Sequence, residues 1–269
     1  MYRELYVLGT GNANAVNCYN TCFALRDDRG AFLLTDAGGG NGILKRLREM
    51  DIPLGSIRDL ILTHAHTDHI LGVIWVLRMV AAAIIGEKYE GTFTVYGHEA
   101  AIGALRTFCE LTLQKKQLAV FDDRILFRAV TDGETRAVNG TPTTFFDIRS
   151  TKMKQFGFTL PVGDGKKLTC LGDEPYNPAC ETYASGADWL LSEAFCLYED
   201  RDRFHPYEKH HSTARDAALL AAELEAENLV LWHTEDTDLT HRKARYTAEA
   251  KTAFTGNVFV PEDGEILTL

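Results

Sequence analysis

His64, His66, Asp68 and His69 lie within the run Leu62-Thr63-His64-Ala65-His66-Thr67-Asp68-His69. Three imidazoles and a carboxylate in six residues, spaced H-x-H-x-D-H, form a set of ligands that a borderline cation such as zinc accepts. The alternation of His64 and His66 lets both rings point toward one centre. Asp68 and His69 do not easily reach that centre and suit a second, adjacent one. The run follows Asp59-Leu60-Ile61-Leu62, which reads as a buried strand, and it precedes an apolar, helix-like stretch from Ile70. A strand-to-helix loop is therefore expected to carry all four groups.

The hexapeptide resembles the signature of the metallo-β-lactamase superfamily, and further segments match that family in order. Leu8-Gly9-Thr10-Gly11-Asn12-Ala13 resembles the first strand and glycine turn of the ribonuclease Z-like branch. Leu33-Leu34-Thr35-Asp36-Ala37-Gly38 resembles the motif whose Asp lies behind the ligands. Cys170-Leu171-Gly172-Asp173 resembles the G-D motif whose Asp bridges two metals. Trp189 to Ala194 resembles the strand that ends in Glu, here Glu193. His211-Ser212-Thr213-Ala214 resembles the H-S-T-A helix start, and Val230 to His233 resembles the strand ending in the last metal-binding His.

The resemblance implies an α/β fold, a four-layer αβ/βα sandwich of two mixed β-sheets with outer helices, over a single domain of residues 1–269. It also implies one or two Zn2+ ions, with Mn2+ as the alternative. One site would use His64, His66 and the shared Asp173; the other would use Asp68, His69, Asp173 and His233. Asp68 would also orient the attacking water. His211, paired with Glu193, would protonate the leaving alkoxide. His at position 66, where oxygen-reducing diiron relatives carry Glu, points to hydrolysis.

One departure stands out. The family places a further metal-binding His six residues before a G-[YF] pair. The matching stretch here is Thr151-Lys152-Met153-Lys154-Gln155-Phe156-Gly157-Phe158, with Thr151 at the ligand position. A neutral hydroxyl is a poorer zinc ligand than imidazole, so the second site is expected to be the more complete. His98, in Tyr96-Gly97-His98-Glu99, is expected to sit in an exposed turn.

The implied activity is hydrolysis of a small phosphodiester or cyclic phosphate by a metal-activated water. Two alternatives stay open. One is a catalytically weakened member that binds a metabolite through one metal. The other is a lactone, thioester or β-lactam hydrolase, which the Glu193 and His211 pair disfavours.

The chain as a whole has 28 basic and 38 acidic residues, a net charge of −10. That balance disfavours a broad phosphate-contacting surface for nucleic acid. No long basic or glycine-rich arm interrupts residues 97–141. Met1 to Leu8 already reads as a strand, with no charged and apolar leader pattern, and the six cysteines contain no C-x-x-C pair; these features suggest a cytoplasmic protein with reduced thiols. The apolar run Ile70 to Gly86 approaches a membrane span in length. Its place directly after the ligand loop makes it a buried helix instead, not a membrane anchor, with an exposed face available for a homodimer contact.

The remaining pattern gives strands at Glu4–Leu8, Thr21–Arg26, Phe32–Thr35, Leu60–Thr63, Thr92–Tyr96, Ile125–Ala129, Thr144–Ile148, Gly157–Pro161, Lys167–Leu171, Trp189–Leu191, Leu229–Trp232 and Val258–Val260. Helices are expected at Gly42–Met50, Ile70–Ile85, Glu99–Leu118, Ala179–Ser185, Ala214–Ala226 and Arg242–Ala253, the last two with apolar residues at helical spacing. Ser212 or Thr213 is placed to cap the helix at Ala214.

Overall fold

The computed structural model describes all 269 residues. The strands are β1 Tyr2–Gly9, β2 Cys22–Asp27, β3 Phe32–Thr35, β4 Ile57–Ile61, β5 Phe93–His98, β6 Ile125–Val130, β7 Thr135–Val138, β8 Thr141–Asp147, β9 Phe156–Val162, β10 Lys166–Cys170, β11 Trp189–Glu193, β12 Asn228–Trp232, β13 Asn257–Phe259 and β14 Ile266–Thr268. The helices are α1 Gly42–Glu49, α2 Thr67–Ile85, α3 Glu99–Thr112, α4 Lys115–Leu118, α5 Glu181–Ala184, α6 Arg201–Phe204, α7 Ala214–Glu223 and α8 Leu239–Ala250.

Strands β1 to β6 pair in chain order, with β14 added beside β1. Strands β9 to β13 also pair in chain order, and the β7–β8 hairpin extends that half beyond β9. The two halves meet at one parallel pairing, Tyr2 with Val162. Both halves mix parallel and antiparallel neighbours.

Successive side chains on a strand face opposite ways, and this alternation separates three cores. On β3, Leu34 joins a cluster with Ile43 and Leu47 of α1 and Val73, Val76 and Leu77 of α2. Its neighbour Leu33 joins a different cluster with Phe158, Leu168, Leu191, Val230 and Trp232 from the other half. In that other half, Leu190, Leu229 and Leu231 turn away toward Ala217, Ala218 and Ala221 of α7 and Tyr246 of α8. Helix, sheet, sheet, helix is thus the order of layers, as expected. The middle core is rich in aromatic rings; Phe23 lies against Trp232 at 4.9 Å between centroids.

Helix α2 is long and apolar enough to cross a membrane by length and composition alone. It spends that apolarity on the first core, where Ile70, Val73, Val76, Leu77, Val80 and Ala81 are fully buried. Trp75 and Met79 stay partly exposed on its outer side, 38% and 40%.

Candidate metal centre and active-site cleft

The chemistry-bearing residues share one address, the carboxyl ends of parallel strands. Asp36 follows β3, His64 and His66 follow β4, Asp173 follows β10, Glu193 ends β11 and His233 follows β12. Strands β10, β11 and β12 run parallel, with Cys170 opposite Leu191 and Glu193 opposite Trp232. Open α/β sheets place ligands at such strand ends because the chain turns away there and leaves a crevice.

The local turns are unusual. Asp36 and His233 both hold left-handed backbone, at φ 52 and 56. Such conformations cost energy in non-glycine residues and persist where surroundings enforce them. Gly172 turns at φ 86, where a Cβ would approach the Gln155 side chain to 3.0 Å. A glycine at this position therefore lets Asp173 swing under Gln155. The helix start differs from the sequence expectation: α2 begins at Thr67, so Asp68 and His69 occupy its first turn rather than a loop. A carboxylate there is favoured by the helix dipole.

Two groups of donor atoms result, one of Asp68, His69, Asp173 and His233 and one of His64, His66 and Asp173, each with its atoms within 4.8 Å of one another. Asp173 belongs to both. Its Oδ2 lies 3.4 Å from His69 Nε2, 3.5 Å from His233 Nε2 and 3.6 Å from His64 Nε2. His64 Nε2 and His66 Nδ1 approach to 2.8 Å. These are the groupings expected from the sequence.

The groups behind the rings orient them. Asp36 accepts from Thr63 N–H at 2.8 Å and from the Thr63 hydroxyl at 2.7 Å, and lies 2.7 Å from His69 Nδ1. A proton on Nδ1 then leaves His69 Nε2 bare, and that buried atom has no hydrogen-bond partner. The Thr63 hydroxyl is spent on Asp36, so it can only accept from His64 Nδ1, 2.9 Å away. His233 Nδ1 faces the Thr21 hydroxyl at 3.2 Å, which itself donates to the Gly11 carbonyl. Such partners fix the tautomer of a metal-binding imidazole.

The electrostatics suit a cation. Burial pushes His64 well below the usual imidazole range and His233 down to about 4, so both rings are neutral and able to donate a lone pair. Burial works the other way on Asp173, yet His64, His69 and His233 hold its carboxyl well below the carboxylate range. Burial also opposes charge on His69, but Asp68 and Asp36 lift its imidazole well above the ordinary value. Three buried carboxylates thus converge on one imidazole. A divalent ion fits this donor set, because it would take the place of the second proton that these carboxylates draw onto His69 Nε2, a buried nitrogen with no hydrogen-bond partner.

The structure brings the candidate ligands together, but it places their neighbours elsewhere than the sequence suggests. Thr151 is exposed; its hydroxyl sits 3.2 Å from His210 Nδ1 and its N–H donates to Glu174, outside both groups. His98 is not an exposed turn residue. It is 2% exposed, caps α3 by accepting from Ala101 N–H, and packs against Phe156. It supplies no replacement ligand. The residue that does reach the centre from the 151–158 stretch is Gln155, fully buried, with Nε2 2.8 Å from His64 Nδ1 and against Asp173 Oδ1. Its place two residues before Gly157 carried no signal, because Gln has no strong metal preference.

A cleft of about 380 Å³ opens over the centre, lined among others by His66, Asp68, Lys152, Asp173, His211 and His233. His211 stacks on Phe195 at 5.0 Å and 17°. Its Nδ1 faces Glu193 Oε2 at 3.5 Å, and both atoms are buried without another partner. Glu193 is anchored from the other side, where Oε1 accepts from Ser212 N–H at 2.6 Å and from the Ser212 hydroxyl. Thr213 caps α7 with Asp216 in a reciprocal box, so the helix start holds the His211-Ser212 turn in place. His205 and His241 are surface residues, 54% and 68% exposed at the side chain.

Comparison with known proteins bears on the family and the fold that carry these residues. The family model described as anti-Pycsar protein Apyc1 matches residues 3–255. A ribonuclease Z of Myxococcus xanthus (strain DK1622) is 35% identical over 125 residues, 44% of this chain and 39% of that protein. A ribonuclease Z of Shouchella clausii (strain KSM-K16) is 25% identical over a 306-residue alignment covering 97% of this chain and 95% of the relative. Among solved structures, the metallo-β-lactamase fold protein YhfI from Bacillus subtilis superposes with a TM-score of 0.80 at 21% identity, covering both chains fully. A diphosphatase of the PhnP family gives 0.76 at 18% identity over 100% of this chain and 98% of that one. Zn2+-bound PqqB from Methylobacterium extorquens gives 0.75 at 17% identity over 99% and 100%. The fold is therefore the metallo-β-lactamase fold.

Proposed function

The chain belongs to the anti-Pycsar protein Apyc1 family, and from that premise we propose that it is a metal-dependent hydrolase of a small phosphodiester or cyclic phosphate. The observation that carries the reading is the pair of donor groups sharing Asp173 beneath a cleft whose wall holds His211 backed by Glu193. His64, His66 and Asp173 would hold one cation; Asp68, His69, Asp173 and His233 would hold the other, with zinc or manganese suited to these N and O donors. Bound in that way, divalent cations supply a Lewis acid for a phosphoryl oxygen and a nucleophile from water at neutral pH.

The protein's own groups do the rest. Asp68, at the cleft floor and held ionised by His69 and His233 against the effect of burial, orients the water. His211 holds a proton beside the departing oxygen, and Glu193 holds the ring in place. Phe195 shields one face of that ring from solvent. The modest cleft and the net charge of −10 favour a small anionic substrate over a long nucleic acid.

A second reading, a metabolite-binding protein of weakened activity, draws on the three protein groups of the first cluster. Purified protein loaded with zinc or manganese separates the two. Turnover of bis(p-nitrophenyl) phosphate that disappears with chelator and returns with metal supports the hydrolase. Metal binding with no turnover of this diester or of cyclic phosphates refutes it.

A further inference from the structure

We propose that Lys152 is an anion-binding residue of the cleft, holding a phosphoryl oxygen on the side of His211. The substrate class rests on the hydrolase reading above; the role of the ammonium rests on its surroundings. Lys152 is the only Lys or Arg lining the cleft, in a chain where acidic residues outnumber basic ones. It follows Thr151 directly, on the turn joining β8 to β9 where the superfamily pattern places a ligand His. The loop thus turns Thr151 outward to His210 and sends the next side chain inward.

Lys152 Nζ lies 3.4 Å from His211 Nε2 and 3.9 Å from Glu174 Oε1. Its ammonium carries three donors. One reaches His211 Nε2, 3.4 Å away, only while that nitrogen carries no proton, so a phosphoryl oxygen that draws the ammonium away leaves Nε2 free to hold the proton of the acid role. Glu174 does not consume the others. Its Oε1 already accepts from the Ser150 hydroxyl at 2.7 Å and its Oε2 from Thr151 N–H at 3.2 Å, while the lysine stands beyond hydrogen-bond distance. The side chain is 28% exposed, so an incoming oxygen can reach it. A charge-assisted hydrogen bond from ammonium to phosphate is among the stronger polar contacts. Half-enclosed in the cleft, it is screened less than at an open surface.

The test compares metal-loaded wild type with Lys152→Met and Lys152→Arg. Calorimetric titration with inorganic phosphate reads anion binding without catalysis, and steady-state kinetics on bis(p-nitrophenyl) phosphate read KM and kcat. Phosphate affinity should fall about tenfold in Lys152→Met, roughly the loss of one charge-assisted contact, and recover in Lys152→Arg. KM should rise in step, with a smaller change in kcat, and the salt dependence of KM should flatten. Equal phosphate affinity in all three proteins overturns the proposal whatever the turnover. Lysine-dependent phosphate binding with no diester turnover in wild type upholds the anion role and overturns the hydrolase reading instead.

Discussion

At the scale of single residues, His211 and Gln155 offer the clearest tests. His211 faces Glu193 at the cleft wall and belongs to neither donor group. His211→Ala is therefore expected to keep its metal and lose turnover. General acid catalysis is worth about 10²–10⁴-fold, so the loss should approach that range for an alkyl leaving group and nearly vanish for nitrophenolate. Equal losses on both substrates would remove the acid role. Gln155 braces Asp173 from behind, donating to its Oδ1 beside the His64 ring. Gln155→Leu should weaken metal binding by about 10–100-fold, as loss of outer partners does, read by competition with a chelating dye; unchanged affinity would make Gln155 a packing residue only. The contrast between the two shows what a sequence carries. His211 stands in a motif with a recognisable neighbour pattern. Gln155 acts only because β9 and the Gly172 turn meet in space, and His98 looked exposed until Phe156 and the α3 start enclosed it.

At the scale of elements, the strands that bury alternating or continuous apolar residues were all legible, with ends shifted by a few positions. Those that were missed bury little. Strand β7 exposes Thr135, Arg136 and Ala137 and buries only Val138; β14 buries only Leu267. Helix α6 buries nothing. The long helix expected over Glu99–Leu118 is broken at Leu113, extended at φ −93 and ψ 155, where Gln114 and Gln117 cap a new turn. Helix α2 matters most for the site, because it carries Asp68 and His69 and must lie close to the Asp36 turn. Gly72 makes that approach possible: its N–H donates to the Gly38 carbonyl at 2.8 Å, and a Cβ there would overlap the Ala37 carbonyl oxygen. Gly72→Ala should cost about 1–3 kcal/mol, typical of overpacking, and displace Asp68 and His69 from their partners. The expected result is a lowered melting temperature together with reduced metal content. An unperturbed protein on both counts would mean that α2 is free to shift.

At the scale of the whole molecule, the site exists only because two halves close on each other. His64 and His66, from the loop after β4, and Asp68 and His69, from the first turn of α2, belong to one half, and Asp173 and His233 to the other. The sequence revealed this through motif order alone, since nothing local links residue 68 to residue 233. The same closure seals the thiols. All six cysteines are free, and five are buried. Burial pushes Cys109, Cys170 and Cys196 up to about 12 and Cys22 well above the ordinary thiol value. Because the thiolate is the nucleophile, native protein at pH 8 should take at most one alkyl group, at the half-buried Cys18, and six once unfolded. Intact mass would show this, and several additions to the folded chain would contradict the closed core. The central claim is a shared metal centre that performs the hydrolysis. Its most direct test is elemental analysis of wild type, His64→Ala and Asp173→Ala, alongside phosphodiester turnover of each. Loss of metal from both sites and of all turnover in Asp173→Ala, against partial metal loss in His64→Ala, is the predicted result; full metal retention or wild-type turnover in Asp173→Ala would contradict the account.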